Sequence, residues 1–244
     1  MTATTNNRLV IEMTGVTGGS IRDLDAEVVR DVNWSVAAGD FWLVSGLQGV
    51  GKSDLLMLTA GLLPPSQGTF RLFGEELPMF EEGRMEQRLK LGFVFDDGRL
   101  LHNLTVAENI ALPMRYHCDY SDDEILERTI RLLDFAELTP IANQMAGLPG
   151  RHWQKRAGLA RALALQPELL LVGNPLSGVD PRHAEWWIRV LTELSCGHEC
   201  MPGKRATTLV VTADDARPWQ GVAKQFAELR EGRLEIAHDL GKHE

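Results

Sequence analysis

Short apolar runs alternate with longer segments of mixed polarity along most of this 244-residue chain. Runs bounded by glycine, proline or acidic residues are typical of β-strands. They lie at residues 9–13, 28–36, 41–44, 69–73, 91–95, 169–172, 207–211, 226–230 and 233–236. The run at 169–172 is the most apolar, as expected for a strand buried on both faces of a parallel sheet. Strands that alternate with helical segments predict an α/β domain with a mainly parallel sheet.

Two segments carry the signals of helix starts. Thr105 with Glu108, and Ser121 with Glu124, each have the spacing of a capping box. We expect the first helix to end at Pro113, because proline has no N–H and disrupts a helix interior. The second helix is expected to be amphipathic, with an apolar stripe of Leu126, Ile130 and Leu133 and with Ile125 and Leu132 beside it.

Three more helices are predicted from composition and boundary residues. The segment 81–89 is charged, and the segment 153–165 is rich in alanine and is stopped by Gln166 and Pro167. A third helix begins at Asp180 and Pro181 and carries Trp186, Val190 and Leu194 at four-residue spacing. Two histidines near these helices, His152 and His183, are expected to be exposed or to act as helix caps.

A glycine-rich segment separates the strand at 41–44 from the helix that follows it. It reads Gly46, Leu47, Gln48, Gly49, Val50, Gly51, Lys52, Ser53. A strand, a glycine-rich turn ending in Lys-Ser and a helix make a P-loop, whose backbone N–H groups attract phosphate. Lys52 is expected to reach the β- and γ-phosphates of a nucleoside triphosphate, and Ser53 to bind Mg²⁺. The neighbouring Asp54 is unusual, because a carboxylate repels bound phosphate.

The charge balance and apolar content narrow the class of protein. There are 25 basic and 34 acidic residues, for a formal net charge of −9. This balance argues against a nucleic-acid partner, since such proteins need lysine and arginine to neutralise phosphates. No apolar run approaches the ~20 residues that span a bilayer, and no signal peptide is recognised. Three cysteines suit a reducing compartment, and we expect a cytosolic chain.

Several blocks together resemble the ATP-binding subunit of an ABC transporter. These blocks are residues 46–53, 91–116, 159–163, 175–181 and 209–214, and the match extends from Leu9 to about Ile236. The resemblance implies a P-loop NTPase of ABC ATPase type with a mainly parallel core sheet, an antiparallel β subdomain and a helical subdomain at about 98–152, all in one domain over 1–244. It also implies ATP and Mg²⁺ as ligands, membrane permease subunits and a second nucleotide-binding subunit as partners, and a peripheral position at the cytoplasmic face of the membrane.

A finer resemblance involves the run from Phe95 to Arg115. This run is similar to the ATPases of MCE-type phospholipid transporters, which maintain lipid asymmetry. The resemblance implies transport of lipid or phospholipid.

The chain departs from the family at positions that serve hydrolysis. The family's Asp-Glu-Pro, which supports Mg²⁺ and polarises the attacking water, is Gly173-Asn174-Pro175 here. The histidine that contacts the γ-phosphate is replaced by Ala213, and the glutamine that senses the γ-phosphate and Mg²⁺ is replaced by Asp96. The Leu-Ser-Gly-Gly-Gln signature is replaced by Pro-Gly-Arg-His-Trp at residues 149–153.

These replacements predict a subunit whose ATP hydrolysis is impaired or absent and whose role in a homo- or heterodimer is structural or regulatory. Neither Asn174 nor Ala213 can act as a general base, so no catalytic residue is assigned; such a loss typically costs ~10²–10⁴ in rate. Asp96 is a candidate substitute ligand for Mg²⁺. Two alternatives stay open: an active ATPase that energises transport, and a soluble ABC protein without a transport role.

Overall fold

The computed structural model describes residues 8–76 and 85–237. The strands are β1 Leu9–Gly18, β2 Val29–Ala37, β3 Phe41–Ser45, β4 Pro65–Leu72, β5 Glu75–Glu76, β6 Leu91–Val94, β7 Leu169–Gly173, β8 Thr208–Ala213, β9 Gln225–Arg230 and β10 Arg233–Ala237. The helices are α1 Lys52–Thr59, α2 Met85–Leu89, α3 Val106–His117, α4 Asp122–Phe135, α5 Arg151–Leu163 and α6 Pro181–Cys196. Part of the helix predicted at 81–89 lies outside the described residues, and the rest forms α2.

Six strands form the central sheet in the order β10-β9-β3-β8-β7-β6. The neighbours β9, β3, β8, β7 and β6 run parallel, whereas β10 is antiparallel to β9. All five residues of β7 are buried, as its apolar run predicts. The pairing places the ends of β3, β8 and β7 side by side, because Ser45 is opposite Ala213 and Gly173 is opposite Thr212.

Apolar cores cover both faces of this sheet, because successive strand side chains point to opposite faces. Leu43 and Val211 belong to the core shared with α3 to α6, whereas Val44 and Val210 belong to the core shared with α1 and the second sheet. That second sheet is antiparallel and has the order β2-β1-β4-β5. The predicted combination of a mainly parallel core sheet with an antiparallel β unit is therefore confirmed.

The chain between β6 and β7 is mainly helical and contains α3, α4 and α5. Both predicted capping boxes are present, at Thr105 with Glu108 and at Ser121 with Glu124. The prediction that Pro113 ends α3 is wrong, since the helix continues to His117. Proline removes one backbone hydrogen bond, and the fully buried Met114 in the next position holds the last turn against the core.

The apolar stripe predicted for α4 is also partly wrong. Ile125, Leu132 and Leu133 are buried, but Leu126 and Ile130 are exposed. The buried Thr129 takes the central place on this face, where its hydroxyl donates to the Ile125 carbonyl. A hydroxyl that donates to the preceding helical turn can be buried at little cost. Residue polarity alone therefore predicts the wrong buried face for α4.

Candidate functional site

The P-loop joins β3 to α1 and has the backbone shape that its glycines predict. Gly49 and Gly51 have φ angles of 86° and 100°, in the left-handed region that glycine adopts without strain. At Gly51 a Cβ would also approach Val28 Cγ1 to 2.8 Å. The tip of the loop faces solvent, with Leu47 77% exposed. Ser53 is exposed as well, whereas Asp54 is half-buried in the first turn of α1.

Lys52 is buried and folds back on its own loop. Its Nζ donates to the carbonyl oxygens of Gly46 and Leu47, at 2.7 Å each. The same Nζ lies 2.9 Å from Oδ1 of Asp214. A lysine ammonium carries three N–H donors, so these three oxygens occupy all of them.

Asp214 follows the end of β8 and is held from two sides. Its Oδ2 accepts a hydrogen bond of 2.7 Å from Nδ2 of Asn174, while Oδ1 faces Lys52. Burial raises the pKa of Asp214, but the hydrogen bonds from Lys52 and Asn174, with the charges of Lys52 and Lys155, hold this pKa below its usual value. The carboxylate is therefore ionised and bound to the P-loop lysine at neutral pH.

Asn174 itself has an unusual backbone. Its φ is 40°, in the left-handed region that asparagine tolerates better than most residues. Its N–H donates to the carbonyl of Thr212 at 3.1 Å, which ties the end of β7 to β8. This conformation directs the side chain of Asn174 to Asp214.

A second buried lysine lies on the other side of Asn174. Lys155 on α5 is 1% exposed, and its Nζ contacts Oδ1 of Asp96 at 2.8 Å. It also donates to the carbonyl oxygens of Ser177 at 2.7 Å and Asn174 at 3.2 Å. Lys155 thus connects α5 to the segments that follow β6 and β7.

The side chains near the P-loop do not fit a magnesium ion held by protein carboxylates. Gly173 offers no carboxylate, and those of Asp96 and Asp214 are paired with lysines. Ser53 is the remaining predicted ligand, and it contributes one neutral hydroxyl. Within residues 8–76 and 85–237, no three His, Cys, Asp or Glu side chains are arranged to hold a metal ion. The predicted contact of Asp96 with Mg²⁺ stays a prediction that requires the carboxylate to leave Lys155.

Burial raises the pKa of Asp54, although a backbone hydrogen bond and the charge of Arg22 oppose this effect. The carboxyl group lies in the first helical turn after the P-loop, where phosphate is expected to bind. A negative charge at this point weakens phosphate binding.

Residues 149–153, where the family resemblance places the signature, lie at the start of helix α5. His152 contacts His183 of α6 edge to face, with 4.2 Å between the ring centroids. His183 is 9% exposed, and its Nδ1 lies 2.9 Å from Oδ2 of Asp180, the N-cap of α6. The expectation that His183 is exposed or acts as a helix cap is therefore wrong, because His183 is buried and the cap of α6 is Asp180. Packing of α5 against α6 buries His183.

A glycine-rich loop between a parallel strand and a helix, ending in lysine and serine at the carboxyl edge of the sheet, defines a P-loop NTPase fold. The family model described as ABC transporter matches residues 29–177. The chain belongs to this family. Among the described residues, no helix combines the length and apolar character that a membrane crossing requires.

Curated relatives of the chain come from several transport systems. It is 34% identical over 201 residues to "Lipoprotein-releasing system ATP-binding protein LolD 1" of Chlorobium chlorochromatii, covering 80% of this chain and 78% of the relative. It is 31% identical to "Methionine import ATP-binding protein MetN" of Bifidobacterium longum, covering 88% of this chain and 52% of the relative. It is 30% identical to "Probable ribonucleotide transport ATP-binding protein mkl" of Mycobacterium leprae, covering 84% and 56%. The chain thus spans about half of MetN and mkl.

Solved structures agree with the fold. The ATP-binding cassette MJ0796, in a dimeric post-hydrolysis state bound to ADP and Pi, superposes with a TM-score of 0.82 at 24% identity, over 96% of this chain and 100% of that chain. The protein cbiO1 of Clostridium perfringens, part of the ABC transporter complex cbiONQ, gives a TM-score of 0.77 at 20% identity, over 93% and 87%. At these identities the likeness supports the ABC ATPase fold.

Two residues of the site are not identified by sequence reasoning. Asp214 and Lys155 carry no motif of their own, and their importance comes from contacts with Lys52 and Asp96. A usable signal exists for Asp214, because it follows β8 and the carboxyl ends of neighbouring parallel strands meet at one edge. No comparable sequence signal indicates that the Lys155 side chain is buried.

Proposed function

We propose that this chain is the nucleotide-binding subunit of an ABC transporter complex in which its own site binds ATP but hydrolyses it slowly or not at all. One observation carries the proposal: the ends of β7 and β8 present Gly173, Asn174 and Ala213 to the P-loop. None of these side chains can accept a proton from water. The acidic group beside them, Asp214, is already bound by Lys52 and Asn174.

The expected loss of rate follows from the missing groups. Loss of a general base costs ~10²–10⁴ in rate, and loss of one preorganised donor to the transition state costs roughly 10²–10³. The effects do not add simply within one site. Together these losses support a structural or regulatory role for the subunit in a dimer.

Binding of nucleotide is supported by the complete P-loop. Residues 46–53 keep their glycines, Lys52 and Ser53, and the loop has left-handed glycines at two positions. The same completeness favours the second candidate function, an active ATPase that energises transport. Of the two predicted Mg²⁺ ligands, Ser53 is exposed and Asp96 is paired with Lys155, so any magnesium in the site is held mainly by the phosphates and water.

The partners proposed are membrane permease subunits and a second nucleotide-binding subunit, in a homo- or heterodimer at the cytoplasmic face. The relatives LolD, MetN and mkl are named for release, import and transport, and MJ0796 is described as dimeric. Asp180 caps α6 at the end of the 177–180 segment, so this part of the proposed dimer surface is ordered by its own hydrogen bonds. An arginine and a histidine stand where the signature has glycines. Their bulk keeps the backbone N–H groups of this chain away from a nucleotide bound by the partner subunit.

The proposed cargo is lipid or phospholipid. The run from Phe95 to Arg115 supports this through its similarity to MCE-type ATPases. The relative LolD is named for lipoprotein release. Isolation of the native complex and identification of its subunits tests this point: a lipid-binding MCE-type subunit is expected, and a binding protein for amino acids or ribonucleotides contradicts it.

Steady-state phosphate release separates the two candidate functions. The purified chain and its complex are compared with the same samples carrying Lys52→Ala, which removes the P-loop ammonium. We expect the same background rate with and without the substitution. Turnover that Lys52→Ala abolishes would show an active ATPase. Titration with a mant-labelled ATP analogue tests binding separately, and the absence of saturable binding contradicts the nucleotide-binding function itself.

A further inference from the structure

The P-loop lysine in this chain is already paired with a carboxylate of the protein. Lys52 Nζ uses its three donors on Gly46 O, Leu47 O and Asp214 Oδ1. The two carbonyl oxygens belong to the P-loop itself, whereas Asp214 lies on a separate segment that follows β8. The carboxylate of Asp214 is the acceptor that a phosphate oxygen can replace.

Asn174 explains why Asp214 remains at the lysine. Its Nδ2 donates to Asp214 Oδ2 at 2.7 Å, and its own position is fixed by the bond from its N–H to Thr212. A glutamate at this position would present a second carboxylate to Asp214, and like charges at hydrogen-bond distance repel. The side-chain amide of Asn174 instead donates a hydrogen bond to the Asp214 carboxylate and so stabilises it.

Asp214 also has space into which it can move. It lines an open hollow of about 490 Å³ together with Asn174, Ala213 and the segment 176–179. The methyl group of Ala213 leaves this space free, and 42% of the Asp214 side chain is exposed. The carboxylate can therefore leave Lys52 without a rearrangement of the core.

We propose that Asp214, positioned by Asn174, is an intramolecular competitor of nucleotide phosphate at Lys52 and lowers the affinity of this site for nucleoside di- and triphosphates. Nucleotide binding moves Asp214 into the hollow, and nucleotide release restores the Lys52 contact. The substitution at position 174 then has a role of its own, because it holds the competitor in place. This inference rests on the proposed nucleotide-binding function.

The test is a comparison of two neighbouring acidic residues. Asp214→Ala removes the competitor, whereas Asp215→Ala removes the next carboxylate, which lines the same hollow but pairs with Arg217 and not with Lys52. Dissociation constants of mant-ATP and mant-AMP are measured for the full-length chain and each variant, with folding checked by circular dichroism. We expect Asp214→Ala to bind mant-ATP roughly fivefold more tightly than wild type or better, a gain of about 1 kcal/mol, with Asp215→Ala close to wild type. Binding of mant-AMP gains little, since the lysine of a P-loop serves the β- and γ-phosphates.

A second variant covers the case in which Asp214→Ala does not fold. Asn174→Ser removes the amide donor and is expected to tighten mant-ATP binding in the same direction. Equal effects of the Asp214 and Asp215 substitutions, or weaker binding by Asp214→Ala, overturn the inference and leave nucleotide binding intact. Saturable binding by Asp214→Ala but not by wild type would support competition by Asp214 at Lys52 and would contradict the proposed nucleotide-binding function of the wild-type chain. Absence of binding by wild type and all variants overturns both the inference and the proposed function.

Discussion

Asp96 and Lys155 form an ion pair between two segments that the family resemblance treats as separate motifs. Oδ1 of Asp96, which follows β6, lies 2.8 Å from Nζ of Lys155 on α5. The lysine is almost fully buried, and its other contacts are backbone carbonyls. The aspartate is therefore the counter-charge of a buried ammonium, a role that its position in the sequence does not suggest.

Removal of this counter-charge is expected to destabilise the protein. Asp96→Asn removes the charged partner of the buried Lys155, and a hydrogen bond to a charged group contributes about 1.5–3 kcal/mol. The Asp96 side chain is 44% exposed and Lys155 keeps two carbonyl acceptors, so we expect a loss at the lower end of this range. Urea unfolding measures the change in the free energy of unfolding. Asp97→Asn is the matched control, because Asp97 is 55% exposed and its contact with Arg99 is 3.9 Å long.

The double variant Asp96→Asn with Lys155→Gln distinguishes an ion pair from two independent contacts. When two residues interact, the loss of stability on removing both differs from the sum of the two single losses. We expect the double variant to lose less stability than the sum of the single variants. Strict additivity would show that the two residues do not interact.

A close backbone approach beside this pair gives a second prediction. Gly98 has a φ of 75°, and a Cβ there would overlap the backbone carbonyl of Gln154 on α5. Gly98→Ala is expected to cost about 2–5 kcal/mol, as the sum of ~1–2 kcal/mol for the left-handed backbone and ~1–3 kcal/mol for overpacking.

Gly221→Ala is the control for the backbone contribution alone. Gly221 has a φ of 76°, and a Cβ at this position would meet no other atom of the described residues within 4 Å. Its substitution is expected to cost about 1–2 kcal/mol. Thermal and urea unfolding of the two variants compare these losses, and equal losses would contradict the close approach of Gly98 to α5.

Asp54 gives a prediction about affinity. Its carboxyl group lies in the first turn after the P-loop, where it opposes bound phosphate. Asp54→Thr is expected to tighten binding of a mant-labelled ATP analogue several-fold. Asp25→Asn, at an exposed position in the loop before β2, serves as the control for net charge. An equal change in both variants would show a general charge effect.

His152 gives a prediction about how the free energy of unfolding depends on pH. Burial lowers its pKa from the ordinary value of 6.5, as do the charges of His183 and Arg156, while Asp180 opposes them. Because the unfolded chain then binds more protons, the free energy of unfolding falls as pH drops through the unfolded pKa. His152→Gln is expected to flatten this fall between about pH 7 and pH 5. His117→Gln, at an exposed site, should leave the profile unchanged.

The parts of the fold that local sequence determines were predictable. The buried run of β7, both capping boxes and the P-loop depend on residues close together in the chain. The passage of α3 through Pro113 and the buried face of α4 were not predictable, because contacts with other elements decide them. A lost backbone hydrogen bond or a buried threonine is acceptable when the surrounding packing compensates for it.

The same division applies to the candidate site. Lys52, Asn174 and Ala213 could each be interpreted from the sequence alone, and the prediction that hydrolysis is impaired rests on those identities. The contacts of Asp214 with Lys52 and Asn174 require knowledge that β8 lies between β3 and β7. The order of strands along the chain does not show which strands are neighbours in the sheet. For this reason the sequence alone does not identify Asp214 as the residue that pairs with the P-loop lysine.

The left-handed backbone of Asn174 also bears on evolutionary reversibility. A glutamate in this conformation costs roughly 1–2 kcal/mol, and it would face the carboxylate of Asp214 as well. A single point mutation that introduces an acidic residue at position 174 therefore strains the backbone and places two carboxylates close together. If the proposed function holds, a hydrolytic site would need changes at Gly173 and Ala213 as well, because neither residue has a side chain that can bind Mg²⁺ or the γ-phosphate.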